Sequence, residues 1–158
     1  MPFVGRRVLL AEDEFLAALT TIDLLESIGW EVVGPTGRVA SALRFARSEP
    51  LDAAVLDINV AGEMIWPVAQ TLQRRGVPFV FLSALSERNA IPPLFADVPR
   101  LAKPLVQACF LHHLATIITS PWGGGNAEQR ICAVASRETR ETLTGKPQAI
   151  ALQAFQAA

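Results

Sequence analysis

The sequence predicts an α/β fold: a doubly wound, five-stranded parallel sheet with helices on both faces. Three observations carry this. Short apolar runs alternate with longer segments of helical period, the pattern of strands joined by crossover helices. At 158 residues, 51% hydrophobic and 18% charged, the chain has the composition of one compact domain and not of a disordered or fibrous one. Finally, the runs end in reactive polar residues, Glu12 and Asp13 after the first, Asp57 at the third and Ser83 at the fourth, and strand ends of an open parallel sheet meet in space.

The first run spans Arg7 to Ala11. It leads into "EFLAALTTIDLLESIG", where Phe15, Leu19, Ile22, Leu25 and Ile28 recur at three- and four-residue steps and Gly29 supplies a stop, so a helix with that apolar stripe is expected. Glu31 to Pro35 is the second strand, and "VASALRFARSE" the second helix. Ala53 to Asp57 is the third strand, followed by "MIWPVAQTLQRRG", a helix that tolerates Pro67 in its first turn. Phe79 to Ser83 is the fourth strand. The next segment, "ALSERNAIPPLFADVPR", holds Pro92, Pro93 and Pro99, each lacking a backbone donor, which predicts a short or broken fourth helix. Arg100 to Ala102 is the last strand, and "VQACFLHHLATII" the last helix, its stripe running through Val106, Cys109 or Phe110, His113 or Leu114, and Ile117.

After Ser120, "PWGGGN" reads as a linker into a tail whose stretch from Gln148 to Phe155 suits a short amphipathic helix. A net charge of −1, from 14 basic and 15 acidic residues, gives no footprint for nucleic acid and no polybasic membrane patch. The start lacks the pattern of a secretory signal, Cys109 and Cys132 are too few for a disulfide framework, and no apolar stretch approaches a membrane span, so a soluble cytoplasmic protein is expected.

The run "VLLAEDE" ends in adjacent carboxylates that repel one another, and such a cluster calls for a cation. Glu12, Asp13 and Asp57 at one end of a sheet form a hard oxygen set suited to Mg²⁺. Ser83 and Lys103 opposite them could balance the charge of a phosphoryl group, with one carboxylate as nucleophile. Taken singly, Asp57 or Ser83 is no more than a helix-cap residue and Lys103 a solvated lysine; the joint pattern carries the reading. Glu14 reads as first-turn helix charge. His112 and His113 beside Cys109 do not make a metal cluster, because adjacent helical positions point apart. Trp30 and Trp66 read as packing residues.

In their order and spacing, "VLLAEDE", "AAVLDINV", "FVFLSAL" and "RLAKPL" resemble the receiver domain of two-component response regulators, of the stand-alone type. The resemblance covers residues 5–119 and leaves 120–158 as a C-terminal tail. It implies a flavodoxin-like strand order 2-1-3-4-5. It implies that Asp57 accepts phosphate from a histidine kinase or histidine phosphotransfer protein, and that Glu12, Asp13, Asp57 and the backbone carbonyl of Asn59 bind Mg²⁺. Ser83 and Lys103 would contact phosphoryl oxygens, and Lys103-Pro104 would be cis. On this reading the protein catalyses its own phosphorylation and dephosphorylation and turns over no separate substrate; it acts through a downstream protein partner, with a homodimer left open. Ala84, small and next to the hydroxyl, leaves room for water and a donor histidine, so Ala84→Val is expected to slow both phosphotransfer and dephosphorylation; unchanged rates would refute the steric account.

Two positions depart from the receiver pattern. Arg100 stands three residues before Lys103, where receivers often carry an aromatic switch residue, and the proline-rich segment replaces a regular fourth helix. Ser86 to Pro99 is the expected output surface, with the tail used for docking or self-association. Two rival functions come from other classes. An aspartyl-phosphate hydrolase needs a second acid two residues on, where this chain has Asn59. A receiver-like interaction module that works without phosphorylation would not need the acid, Ser and Lys set.

Overall fold

A computed structural model describes residues 4–84 and 91–119. The expected linker, tail helix, Cys132 and residues 86–90 of the anticipated output segment lie outside the described residues.

The elements run β1 (Arg7–Ala11), α1 (Phe15–Ser27), β2 (Glu31–Thr36), α2 (Val39–Ser48), β3 (Ala53–Asp57), a hairpin of β4 (Asn59–Val60) and β5 (Glu63–Met64), α3 (Trp66–Arg74), β6 (Phe79–Ala84), a 3-10 turn (Pro93–Phe95), β7 (Arg100–Lys103) and α4 (Gln107–Thr119). The five long strands form one parallel sheet in the order β2-β1-β3-β6-β7. With the hairpin strands set aside, this is the expected 2-1-3-4-5 order of a flavodoxin-like sheet.

Alternation along each strand divides the core in two. Leu9, Ala11, Leu56, Phe79 and Phe81 pack on α2 and α3, whereas Val8, Leu10, Val55, Val80 and Leu82 pack on α1 and α4. Central β3 is buried at every residue, as a strand covered on both faces must be. The edge strand β2 carries Pro35, and the ladder with β1 is irregular there, between Leu9 and Ala11, a position where a missing donor is tolerated. Among the described residues, no helix is long and apolar enough to cross a membrane.

Two expectations need correction. In α1 the buried residues are Ala18, Thr21 and Leu25, while Phe15 and Leu19 of the anticipated stripe are 73% and 41% exposed, and Leu16 is 69% exposed. The reason is length. Five residues of β1 span about 16 Å, and thirteen of α1 about 20 Å, so the helix's first turn overhangs the carboxyl end of the sheet. Thr21 is buried at no polar cost because its hydroxyl donates to the carbonyl of Ala17 at 2.9 Å.

The third helix begins at Trp66, not Met64, because Asn59 to Met64 form a hairpin. Its turn places Ala61 at φ 52° and Gly62 at φ 85°, the positive-φ pair that a tight hairpin requires. The Asn59 side chain accepts from the backbone N–H of Gly62 at 3.0 Å. Beyond β6, the described part of the expected fourth helix, residues 91–99, contains only the 3-10 turn. Its Phe95 is 2% exposed and stacks on Trp66 with ring centroids 5.9 Å apart. Packing of Phe95 and Val98 into the core, rather than a helical hydrogen-bond ladder, anchors this proline-bearing stretch.

Candidate functional site

The carboxyl ends of β1, β3, β6 and β7 bring the anticipated residues together. Parallel register sets Asp57 beside Leu82, and Ala84 beside Lys103. Nζ of Lys103 donates to Oδ2 of Asp57 at 2.7 Å and to Oε2 of Glu12 at 3.0 Å. One carboxylate oxygen from each of Glu12, Asp13 and Asp57 lies within 4.8 Å of the other two. Asp57 and Glu12 are buried, each 3% exposed, whereas Asp13 is exposed. Lys103-Pro104 is cis.

Each carboxylate is also aimed by backbone. Oε1 of Glu12 accepts from the N–H of Glu14 at the start of α1, at 3.0 Å. Oδ1 of Asp57 accepts from the N–H of Asn59 at 3.3 Å, and Oδ2 of Asp13 accepts from the N–H of Ala61 at 3.1 Å. The β4–β5 hairpin therefore holds Asp13. Gly37 makes room on the other side: a Cβ there would stand 3.3 Å from Cα of Asp13, tighter than ordinary van der Waals contact.

Charge is not balanced within this group. Three carboxylates face one ammonium, and burial, reinforced by the charge of Asp57, pushes Glu12 up from 4.5 to about 6 even though the Glu14 N–H and Lys103 favour its ionised form. Burial works against the Lys103 ammonium, but its hydrogen bonds to Asp57 and Glu12 win and raise it to about 12. At neutral pH the group therefore carries excess negative charge, and the oxygen donors present suit a hard divalent cation.

Ser83 is 4% exposed at the end of β6, and its Oγ accepts from Nε of Arg100 at 2.9 Å. Sequence reading marked Arg100 as a departure but not as a partner of Ser83. Ala61 and Gly37 were missed altogether: they act through a backbone N–H and an absent side chain, and Ala61-Gly62 lacks the Asn-Gly signal of such turns. His113 is buried in the face of α4 that packs on the sheet, with Nδ1 2.9 Å from the carbonyl of Cys109.

No family model matches the chain. It is 32% identical over 89 residues to the transcriptional regulatory protein PdtaR of Mycobacterium tuberculosis, covering 56% of this chain but only 43% of PdtaR, so it spans under half the length of that curated relative. The solution structure of SdrG from Sphingomonas melonis Fr1 is 34% identical and superposes with a TM-score of 0.66, covering 75% of this chain and 99% of SdrG. The receiver domain of the sensor histidine kinase PA1611 of Pseudomonas aeruginosa PAO1, with a magnesium ion in its active-site cleft, shares the fold at 24% identity and a TM-score of 0.64, covering 74% of this chain and all of that domain. The chain belongs to the response regulator receiver family. As a receiver it is a component of two-component phosphorelay signalling. SdrG has also been solved in a BeF3-activated conformation, to which this receiver is likewise 34% identical, with a TM-score of 0.60.

Proposed function

We propose that this receiver takes a phosphoryl group from a phosphohistidine onto Asp57 and signals by conformational change to a protein partner. The observation that supports this best is the convergence of Lys103, 2.7 Å from Asp57, with the three carboxylates Glu12, Asp13 and Asp57. An Asp57 oxygen attacks phosphorus, the P–N bond to the donor imidazole breaks, and its electron pair returns to the ring nitrogen, which takes up a proton. Lys103 turns from the carboxylate to a phosphoryl oxygen and offsets the incoming charge. Attack of water on the acyl phosphate later returns the free carboxylate, so the protein turns over no separate substrate. Ala84 borders the path of both water and donor.

The donor set fits Mg²⁺: Glu12, Asp13, Asp57 and the backbone carbonyl of Asn59 would hold it. When bound it supplies positive charge to the transferring phosphoryl oxygens. Asp13, already aimed by Ala61, is the one exposed member and the readiest to accept a hydrated ion.

A protein donor needs a docking surface beside the site. The overhanging turn of α1 offers one, since Phe15 and Leu16 are exposed next to a concavity of about 370 Å³ lined by Leu16, Ala17, Thr20, Lys103, Pro104 and Leu105. Phe15→Ser with Leu16→Ser is expected to slow transfer from a phosphohistidine protein about tenfold or more, as loss of apolar anchors does, and to leave labelling by phosphoramidate unchanged. Equal loss with both donors would point to a damaged site rather than a lost docking surface.

The test of the function is incubation with Mg²⁺ and phosphoramidate or acetyl phosphate, read by intact mass. Gain of one phosphoryl group, abolished by chelation of the metal, is expected. An unmodified protein would favour an interaction module that works without phosphorylation.

A further inference from the structure

The contact between Arg100 and Ser83 joins a cation on β7 to the buried hydroxyl at the end of β6. A serine hydroxyl carries one donor and two acceptor sites. Here Oγ is an acceptor from the Arg100 guanidinium at 2.9 Å, so its single O–H is left to donate elsewhere. Register places the two residues. Arg100 lies beside Phe81, two residues before Ser83 on the neighbouring strand, so its backbone sits toward the amino-terminal side of Ser83. The sheet's carboxyl end, with Asp57 and Lys103, lies the other way.

We propose that Arg100 is a positioning residue for phosphoryl binding: it occupies the acceptor side of Ser83 and commits the hydroxyl as a donor toward the phosphoryl group on Asp57. A charge-assisted bond into the oxygen also polarises O–H, which strengthens the bond it makes onward. Arg100 thereby takes part in the site through Ser83 without touching phosphate, from a position where receivers often place an aromatic residue. The inference rests on the phosphoacceptor role of Asp57.

Beryllofluoride with Mg²⁺ mimics the phosphoryl group, and its affinity for the full chain is measured for wild type, Arg100→Met, Ser83→Ala and the double variant. Arg100→Met is expected to weaken binding about three- to tenfold when Ser83 is present, and much less in the Ser83→Ala background. Equal weakening in both backgrounds would mean that Arg100 acts only as a nearby charge. Tighter binding by Arg100→Met would mean that it restrains Ser83 instead of presenting it. Either result overturns the proposal. Arg100→Gln, which keeps a polar head, replaces Arg100→Met if the latter melts early, with the same expected pattern. Failure of wild type to bind beryllofluoride or to be phosphorylated would remove the phosphoacceptor reading and this inference together, whereas normal wild-type binding with an unaffected Arg100 variant would remove the inference alone.

Discussion

Asp57→Asn is expected to take up no phosphoryl group from phosphoramidate at any Mg²⁺ concentration, while wild type gains one. The amide is nearly the size of the carboxylate but has no nucleophilic oxygen, so the loss is chemical, not steric. Folding should survive. Asp57 shares the Lys103 ammonium with Glu12, and Lys103 keeps its bond to Glu12 at 3.0 Å when Asp57 is neutralised. The metal-free variant should therefore melt within a few degrees of wild type. Its response to Mg²⁺, measured as the rise in melting temperature on saturation, should be smaller because one ligand charge is gone. Modification that persists in Asp57→Asn would place the acceptor elsewhere.

Lys103→Met is expected to cost the metal-free protein about 3 kcal/mol of stability, the scale of breaking a buried ion pair by removing one partner. Side chains of Asp57 and Glu12 are 4% and 0% exposed, so neither can recover its solvation when the ammonium leaves. The loss should depend on pH with a definite sign. Glu12 already titrates at about 6 against 4.5 ordinarily. The folded state thus holds that proton more tightly than the unfolded one, and stability falls as pH rises through this window. Removing Lys103 takes away a group that favours the Glu12 carboxylate, which moves the upper edge of the window upward. Chemical denaturation should accordingly show a larger deficit at about pH 8 than at about pH 5, and Mg²⁺ should restore part of it. A deficit independent of pH and metal would show that Lys103 stabilises by packing of its aliphatic stem alone.

Both predictions concern residues whose meeting at one end of the sheet was legible in the chain. Strand and helix periods are local properties, and an open parallel sheet gathers the residues that end its strands, so Glu12, Asp13, Asp57, Ser83 and Lys103 could be placed at one end from the alternation of runs. Strand bounds were legible to within a residue or so for the same reason. The face of α1 was not: an apolar stripe with Phe15 and Leu19 satisfies the helical period, yet whether it meets the sheet depends on how far the sheet extends.

By itself, then, the sequence determined the α/β alternation, the order of the reactive strand ends and the broken stretch after the fourth long strand, all of which follow from periodicity and from proline's missing donor. Tertiary structure alone decided which atoms meet. Lys103 lies 46 residues from Asp57 in the chain, and only parallel register brings them to hydrogen-bond distance. The hold of Ala61 on Asp13 needs a hairpin closed by an Ala-Gly turn, and the bond from Arg100 to Ser83 needs β7 offset by two residues against β6. These contacts cross between strands, where the pattern within any one segment carries no information about the neighbour's offset; burial of both sheet faces fixes that offset, because a one-residue slip would turn every core side chain to the opposite face.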